Sequence, residues 1–279
     1  MAVFEFIKMS GTGNDFILAD NRNGKIPEEA KPAVARTLCP RRTAVGADGL
    51  LLLEMSDTAD VRMRIFNADG SEPEMCGNAS RCLAWFARRL RAAGPEMMIE
   101  TLAGVLRAEV DDHTVRVDMT RPKNVSSRGE LEFAGESRDV FFADTGVPHA
   151  VVFVDDLDAL DVRAWGKALR MHDEFQPAGA NADFVKIEEP GSISIRTYER
   201  GVEDETLACG TGAVATALVS AWREGWDGSV SVRVRSGEDL GVSFRGSAPE
   251  FDNAKLEGDV SVVFLGEAVL SDKIMEKQA

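Results

Sequence analysis

The chain has 279 residues, 44% of them apolar and 28% charged, with 32 basic against 47 acidic side chains and a net charge of −15. That length holds one large domain or two smaller ones, each able to bury a core. The acidic balance excludes nucleic acid or an anionic membrane as the main partner, because both need a basic face, but it leaves room for a small anionic substrate held by local dipoles.

The first residues, MAVFEFIKMSG, carry Glu5 and no long apolar run, so they do not read as a signal peptide. No stretch approaches the ~20 apolar residues of a membrane span. Four cysteines at irregular spacing do not suggest a disulfide scaffold, and a reducing cytoplasm is the simpler setting. Short strands rich in Val, Ile and Phe are predicted at 4–9, 16–20, 50–55, 61–66, 97–104, 105–110 and 114–119. A polar, turn-rich seam is expected at Thr120–Glu130. Further strands follow at 140–146, 150–156, 183–189, 192–198, 230–236, 240–246 and 260–266. Helical patterns are fewer, at 27–39, 78–93, 161–171 and 211–225. Because strands and helices do not alternate regularly, a doubly wound parallel sheet is not expected. The pattern predicts an α+β chain of two similar, pseudo-symmetric halves. Each half is a curved, antiparallel-rich β-sheet around a central helix.

An internal repeat supports the two halves. Cys76 and Cys209 are 133 positions apart, and so are Gly13 and Gly146. RIFNADGSEPEMCG (64–77) resembles RTYERGVEDETLACG (196–210), with one extra residue in the second copy. In both copies Cys-Gly stands immediately before a helical pattern. A helix N-terminus presents unpaired N–H groups and about half a positive charge. It can stabilise a thiolate, and it can hold a carboxylate. One such cysteine is weak evidence, since Cys is also a common core residue. Two at equivalent places suggest that one carboxylate could lie against both helix starts, with a sulfur on each side of its α-carbon. That arrangement suits inversion of a stereocentre, with a thiolate as base on one face and a thiol as acid on the other. No Walker or dinucleotide fingerprint is present in the right setting. Cys76-x5-Cys82 is not a usual zinc spacing, and His113, His149 and His172 lack paired ligands, so no metal site is expected.

Six segments in order, KMSGTGNDFILAD, VGADGLLLLE, RIFNADGSEPEMCGNASRC, TGVPHAV, NADFV and YERGVEDETLACGTGA, resemble the diaminopimelate epimerase family over nearly the whole chain. The resemblance implies cofactor-free interconversion of LL- and meso-2,6-diaminopimelate, on the path to lysine and peptidoglycan. It implies Cys76 and Cys209 as the acid–base pair, with Gly77, Asn78, Gly210 and Thr211 as donors to the reacting carboxylate. Asn14, Asn67, Asn181, Glu199 and Arg200 would bind the rest of the substrate, with His149 in a supporting role near the thiols. It implies an N-terminal half of residues 1–120, to which 260–279 return, a C-terminal half of 121–259, and the active site between them. The expected partner is the small-molecule substrate alone, with no nucleic acid and no membrane; a homodimer is the candidate assembly.

Each assignment has a structural competitor. Asn14, Asn67 and Asn181 could shape turns, Glu199 and Arg200 could be a surface pair, and His149 could be a satisfied loop histidine. Cys39 and Cys82 read as plain buried thiols, and Trp85, Phe86 and Trp222 as core faces of their helices. Two positions depart from the family. Val147 stands where Asn is frequent, so it brings no polar contact. Ala79-Ser80 replaces a commoner Gly-Ala pair. The first departure keeps open a relative that racemises another amino acid. A non-catalytic binding or thiol-switch protein is the competitor from a different class.

Overall fold

The computed structural model describes residues 2–271 and residue 274; residues 272, 273 and 275–279, part of the segment expected to return to the first half, lie outside the described residues. The described residues form two compact units. One runs up to Val117 and takes in those from Gly258 onward; the other is Asp118–Glu257.

The first unit contains, in chain order, β1 (Ala2–Gly11), β2 (Asn14–Asp20), α1 (Lys31–Leu38), β3 (Gly49–Glu54), β4 (Val61–Asn67), α2 (Gly77–Arg89), β5 (Glu96–Thr101), β6 (Gly104–Asp111) and β7 (Thr114–Asp118). Its strands neighbour one another in sequence order. The second unit contains β8 (Lys123–Phe133), β9 (Glu136–Asp144), β10 (Pro148–Phe153), α3 (Val162–Arg170), β11 (Asn181–Glu189), β12 (Ser192–Glu199), the short β13 (Asp204–Thr206), α4 (Gly210–Glu224), β14 (Ser229–Arg233), β15 (Asp239–Ser247) and β16 (Glu250–Leu270). Its order is β8-β9-β10-β11-β12-β14-β15-β16, with β13 set against β12. The first part of β16 pairs with β15, and its later part continues into the first unit to pair antiparallel with β1, Ala2 opposite Leu270.

Most neighbouring pairs are antiparallel, as expected. Four are parallel: β2–β3, β4–β5, β10–β11 and β12–β14. Each has a helix between its two strands, because parallel neighbours need a crossover that a tight turn cannot supply. The crossovers are α1, α2, α3 and α4 in turn, so the two units repeat one plan. The α+β class expected from the sequence is the one the chain adopts.

The central strands are buried on both faces. Leu50 to Leu53 of β3 are all fully buried, and both α1 and α2 contact this strand. A strand covered on both sides reads as a continuous apolar run, which is why LLLL carries no alternation. On the α1 side, Val34, Ala35 and Leu38 join Ile17, Leu50, Leu52 and Phe66 in one cluster. The α3 side of the second unit is built alike from Val152, Leu169, Phe184 and Tyr198. Burying each Leu or Phe contributes about 1.5–3 kcal/mol. On α2, Ala79, Cys82, Leu83, Phe86 and Ala87 recur at helical spacing on the buried face. α4 is buried almost all round, from Gly212 to Ala221, so small residues dominate it. It ends at Gly225, which takes the left-handed conformation at φ 72°.

Three local expectations are corrected. Thr120–Glu130 follows the boundary between the units at Val117 and Asp118, but it is not rich in turns: from Lys123 it is strand β8, whose exposed edge position makes it polar and hides the strand signal. Trp222 is 39% exposed rather than core, although its ring meets Phe141 edge-on at 5.8 Å. The helix expected at 27–39 begins with a 3-10 turn at Glu28–Ala30 and becomes α-helical only at Lys31.

Candidate active site

Each candidate cysteine occupies the position just before the first turn of its helix. Cys76 precedes α2 with an extended backbone at φ −144°, and Cys209 precedes α4 at φ −127°. The Cys76 carbonyl accepts from the Ser80 N–H, and the Cys209 carbonyl from the Ala213 N–H, each at 2.9 Å. Both units therefore set a sulfur beside the N–H groups of a helix start, where Gly77 and Asn78, or Gly210 and Thr211, occupy the first turn. None of the four cysteines is in a disulfide. Burial pushes Cys39 up to about 11 and Cys82 up to about 12, which makes both inert at neutral pH.

In the first unit a chain of amides runs out from α2. Arg81, fully buried, donates from Nη2 to Asn78 Oδ1 at 2.6 Å and to Thr12 Oγ1 at 2.8 Å. Asn78 Nδ2 donates to Asn14 Oδ1 at 2.7 Å, and Asn14 Nδ2 donates to Asp48 Oδ2 at 3.0 Å. Arg41 closes the chain, bonding Asp48 at 2.7 Å and Asp15 at 2.6 and 3.0 Å. Burial pushes Asp15 up, but hydrogen bonds from Arg41 and Lys8 outweigh it and hold the carboxyl at about 2. Asn14 and Asn78 are thus brought together, each with an amide proton to spare. Asn67 is held differently: it is exposed, and its Nδ2 donates to Ser71 Oγ at 3.0 Å within a turn.

In the second unit, Asn181, His149 and Arg200 are directly linked. The Arg200 N–H donates to Asn181 Oδ1 at 2.8 Å, and Asn181 Nδ2 lies 3.4 Å from His149 Nε2. His149 Nδ1 meets Asp183 Oδ2 at 2.6 Å, with both residues fully buried. The Arg200 guanidinium reaches the Ala178 carbonyl at 3.2 Å. Burial pushes the Glu199 carboxyl up, and the nearby Asp183 adds to the rise. Cys209 lies 3.4 Å from Thr211 Oγ1. Its thiol is pushed well above the ordinary range, first by burial and then by Glu199 and Asp183, which outweigh the Thr211 and Gly212 bonds. Among the described residues no cluster of His, Cys, Asp or Glu has the makings of a metal site.

Sequence reasoning missed Arg81, Asp48 and Asp183. Asp183 carried a readable signal, since Asp is depleted in strands and here stands between Ala182 and Phe184.

Solved structures of the same architecture include a Bacillus anthracis phenazine biosynthesis protein of the PhzF family, at TM-score 0.75 and 16% identity, covering 97% of this chain and 100% of that one. A hydroxyproline epimerase from Agrobacterium vitis superposes at TM-score 0.69 and 19% identity, covering 96% and 91%. At those identities the likeness is one of fold. Sequence relatives are much nearer. The diaminopimelate epimerase of Chlorobaculum tepidum is 46% identical, covering 94% of this chain and all of that one. The diaminopimelate epimerase of Aquifex aeolicus is 42% identical, covering 98% and 99%. The profile of diaminopimelate epimerases matches residues 6–125 and 141–247, a span that holds both Cys-Gly helix starts. On these matches the chain belongs to the diaminopimelate epimerase family.

Proposed function

We propose that the chain performs its family's reaction, the epimerisation of LL-2,6-diaminopimelate to the meso isomer, with Cys76 and Cys209 as base and acid on opposite faces of one α-carbon. It is an isomerase of amino-acid biosynthesis. One thiolate removes the α-proton and becomes a thiol; the electron pair left on carbon spreads into the carboxylate; the other thiol protonates the opposite face and becomes a thiolate. No atom is gained or lost, and the two sulfurs exchange states at each turnover. The carbanion is the costly species, and oriented donors at the carboxylate lower its energy most. The N–H groups of Gly77, Asn78, Gly210 and Thr211 are the donors this reading assigns. Asn14, Asn67 and Asn181 take the polar groups of the substrate, Glu199 its amine, and Arg200 the distal carboxylate. His149 supports the second thiol.

The observation that carries the reading is the repetition. Each unit begins its central helix directly after a cysteine with an extended backbone. Four cysteines without a disulfide fit a reducing cytoplasm, and no helix among the described residues is long and apolar enough to cross a membrane. Exposed Val263, Leu265 and Val269 on β16 favour a homodimer as the assembly.

Isotope exchange tests the mechanism. A thiol carries a single proton, which exchanges with solvent before it is delivered. In deuterated water, early meso product should carry one α-deuterium while unreacted LL substrate carries little. Early product rich in the original proton would mean that a single base serves both faces.

A further inference from the structure

The second unit buries polar groups for which the acid–base scheme has no use. Asp183 on β11 stands opposite Thr197 on β12, and His149 lies on the neighbouring β10. Placing an ionised carboxylate out of reach of water costs several kcal/mol unless it is well paired. Such a group persists in a packed interior only where its partners are fixed.

The hydrogen bonds of this cluster fit one arrangement of protons. The Arg200 N–H donates to Asn181 Oδ1, so the Asn181 amide presents Nδ2 on its other side. There Nδ2 lies 3.4 Å from both the Pro148 carbonyl and His149 Nε2. A donor aimed at Nε2 requires that nitrogen to be bare. The ring proton then sits on Nδ1 and is given to Asp183 Oδ2 at 2.6 Å. Asp183 Oδ1 accepts from Thr197 Oγ1 at 2.7 Å. All of these directions are met with His149 neutral and Asp183 ionised, the carboxylate accepting from both neighbours. A second observation ties this carboxylate to the cysteine helix. A Cβ at Gly212, in the first turn of α4, would lie 2.7 Å from Asp183 Oδ1 and 3.3 Å from Thr197 Oγ1. The helix start rests directly on the carboxylate, and only glycine permits the approach.

We propose that Asp183 is a positioning residue for the second half-site. It holds the His149 proton on Nδ1, which aims the Asn181 amide and through it the Arg200 backbone, and it sets the seat on which the Cys209 helix begins. The inference rests on reading Asn181 and Arg200 as substrate contacts.

Asp183→Asn is the informative change, because it keeps the size of the side chain and reverses one bond. An amide donating to Nδ1 drives the ring proton to Nε2. That proton then faces Asn181 Nδ2, donor against donor, and the Asn181 amide must turn away from the Arg200 N–H. The tautomer is read by nitrogen NMR on protein labelled at histidine, with the His149 signal identified by its loss in His149→Gln. In the wild type the proton should be on Nδ1; in Asp183→Asn it should move to Nε2. With the fold retained in urea titration, kcat/KM for LL-diaminopimelate should fall about 10²-fold or more. A wild-type ring protonated on Nε2 or on both nitrogens overturns the proposal, as does an Asp183→Asn rate within about threefold of wild type. Should Asp183→Asn fail to fold, Thr197→Val removes the other donor to the carboxylate; an unchanged rate there overturns the proposal equally. The tautomer is independent of turnover. If alanine variants of the cysteines proved active while His149 kept its proton on Nδ1, the acid–base reading would fall and this one would stand.

Discussion

The starts of α2 and α4 share one backbone plan and differ in what lies behind them. Behind α2 stands the fully buried guanidinium of Arg81, one turn along the helix and bonded to Asn78. Behind α4 stands the fully buried carboxylate of Asp183, seated under Gly212. A buried cation lowers the cost of negative charge nearby, and a buried anion raises it. The two helix starts thus share a backbone plan, while the buried side chain behind each carries charge of opposite sign.

The comparison fails at once if either half is dispensable. Cys76→Ala and Cys209→Ala should each lower kcat by about 10³-fold or more, since proton transfer on both faces is required. The double variant should be little worse than either single one, because groups acting as a unit do not add. A single variant within tenfold of wild type, measured by optical rotation or chiral chromatography, would show that its half only binds.

A subtler test exchanges the residues three places after each cysteine, Ala79 and Gly212. Ala79 has room for its methyl, whereas a methyl at Gly212 would press on Asp183 Oδ1 at 2.7 Å. Gly212→Ala should lower kcat/KM by about 10- to 100-fold and stability by about 1–3 kcal/mol. Ala79→Gly should cost about 0.5–1 kcal/mol in helix propensity and leave most of the activity. Equal effects of the two changes, by urea titration and initial rates, would erase the distinction between the two helix seats.

The smallest expected effect lies at the far end of the Asn78–Asn14 chain. Asp15 is held at about 2, below its ordinary 3.8. A depressed carboxyl contributes stability above its unfolded value, and that contribution disappears as the pH falls through the folded one. Arg41→Ala should therefore cost about 1 kcal/mol at neutral pH, discounted for the exposure of Arg41. The gap between variant and wild type should close between about pH 4 and pH 2. A gap that stays constant over that range would place the Arg41 contribution in packing rather than charge.

How much of this was legible beforehand follows from what leaves a local trace. The cysteines were readable because a duplicated Cys-Gly ahead of two apolar helices is a pattern within the chain. The strands of the core were readable from Val, Ile and Leu, and the continuous run at Leu50–Leu53 only hinted at its two-sided burial. The parallel pairs could not be read, because they depend on which strand a crossover helix rejoins rather than on strand composition. Arg81 and Asp183 escaped for a related reason. Their partners lie 69 residues away at Thr12 and 34 away at His149, and no local spacing links a charge to a partner so distant. Asn67 shows the converse: its turn and its bond to Ser71 are local, and a turn was the competitor the sequence itself suggested.

The path of β16 has a consequence for the birth of the molecule. β1 has β2 on one side and the residues from Val260 to Leu270 on the other. Those residues leave the ribosome only after the whole of the second unit. At synthesis rates of about 5–20 residues per second, the first strand waits on the order of ten seconds or more for its second neighbour. Throughout that interval it offers an open row of N–H and C=O groups, flanked by Phe4, Phe6 and Ile7, which the finished fold buries. The second unit can close on its own residues, whereas the first must remain incomplete until the chain returns to it. The nascent protein therefore exposes an unpaired apolar strand at its beginning, and the segment that covers it is made only after the second unit.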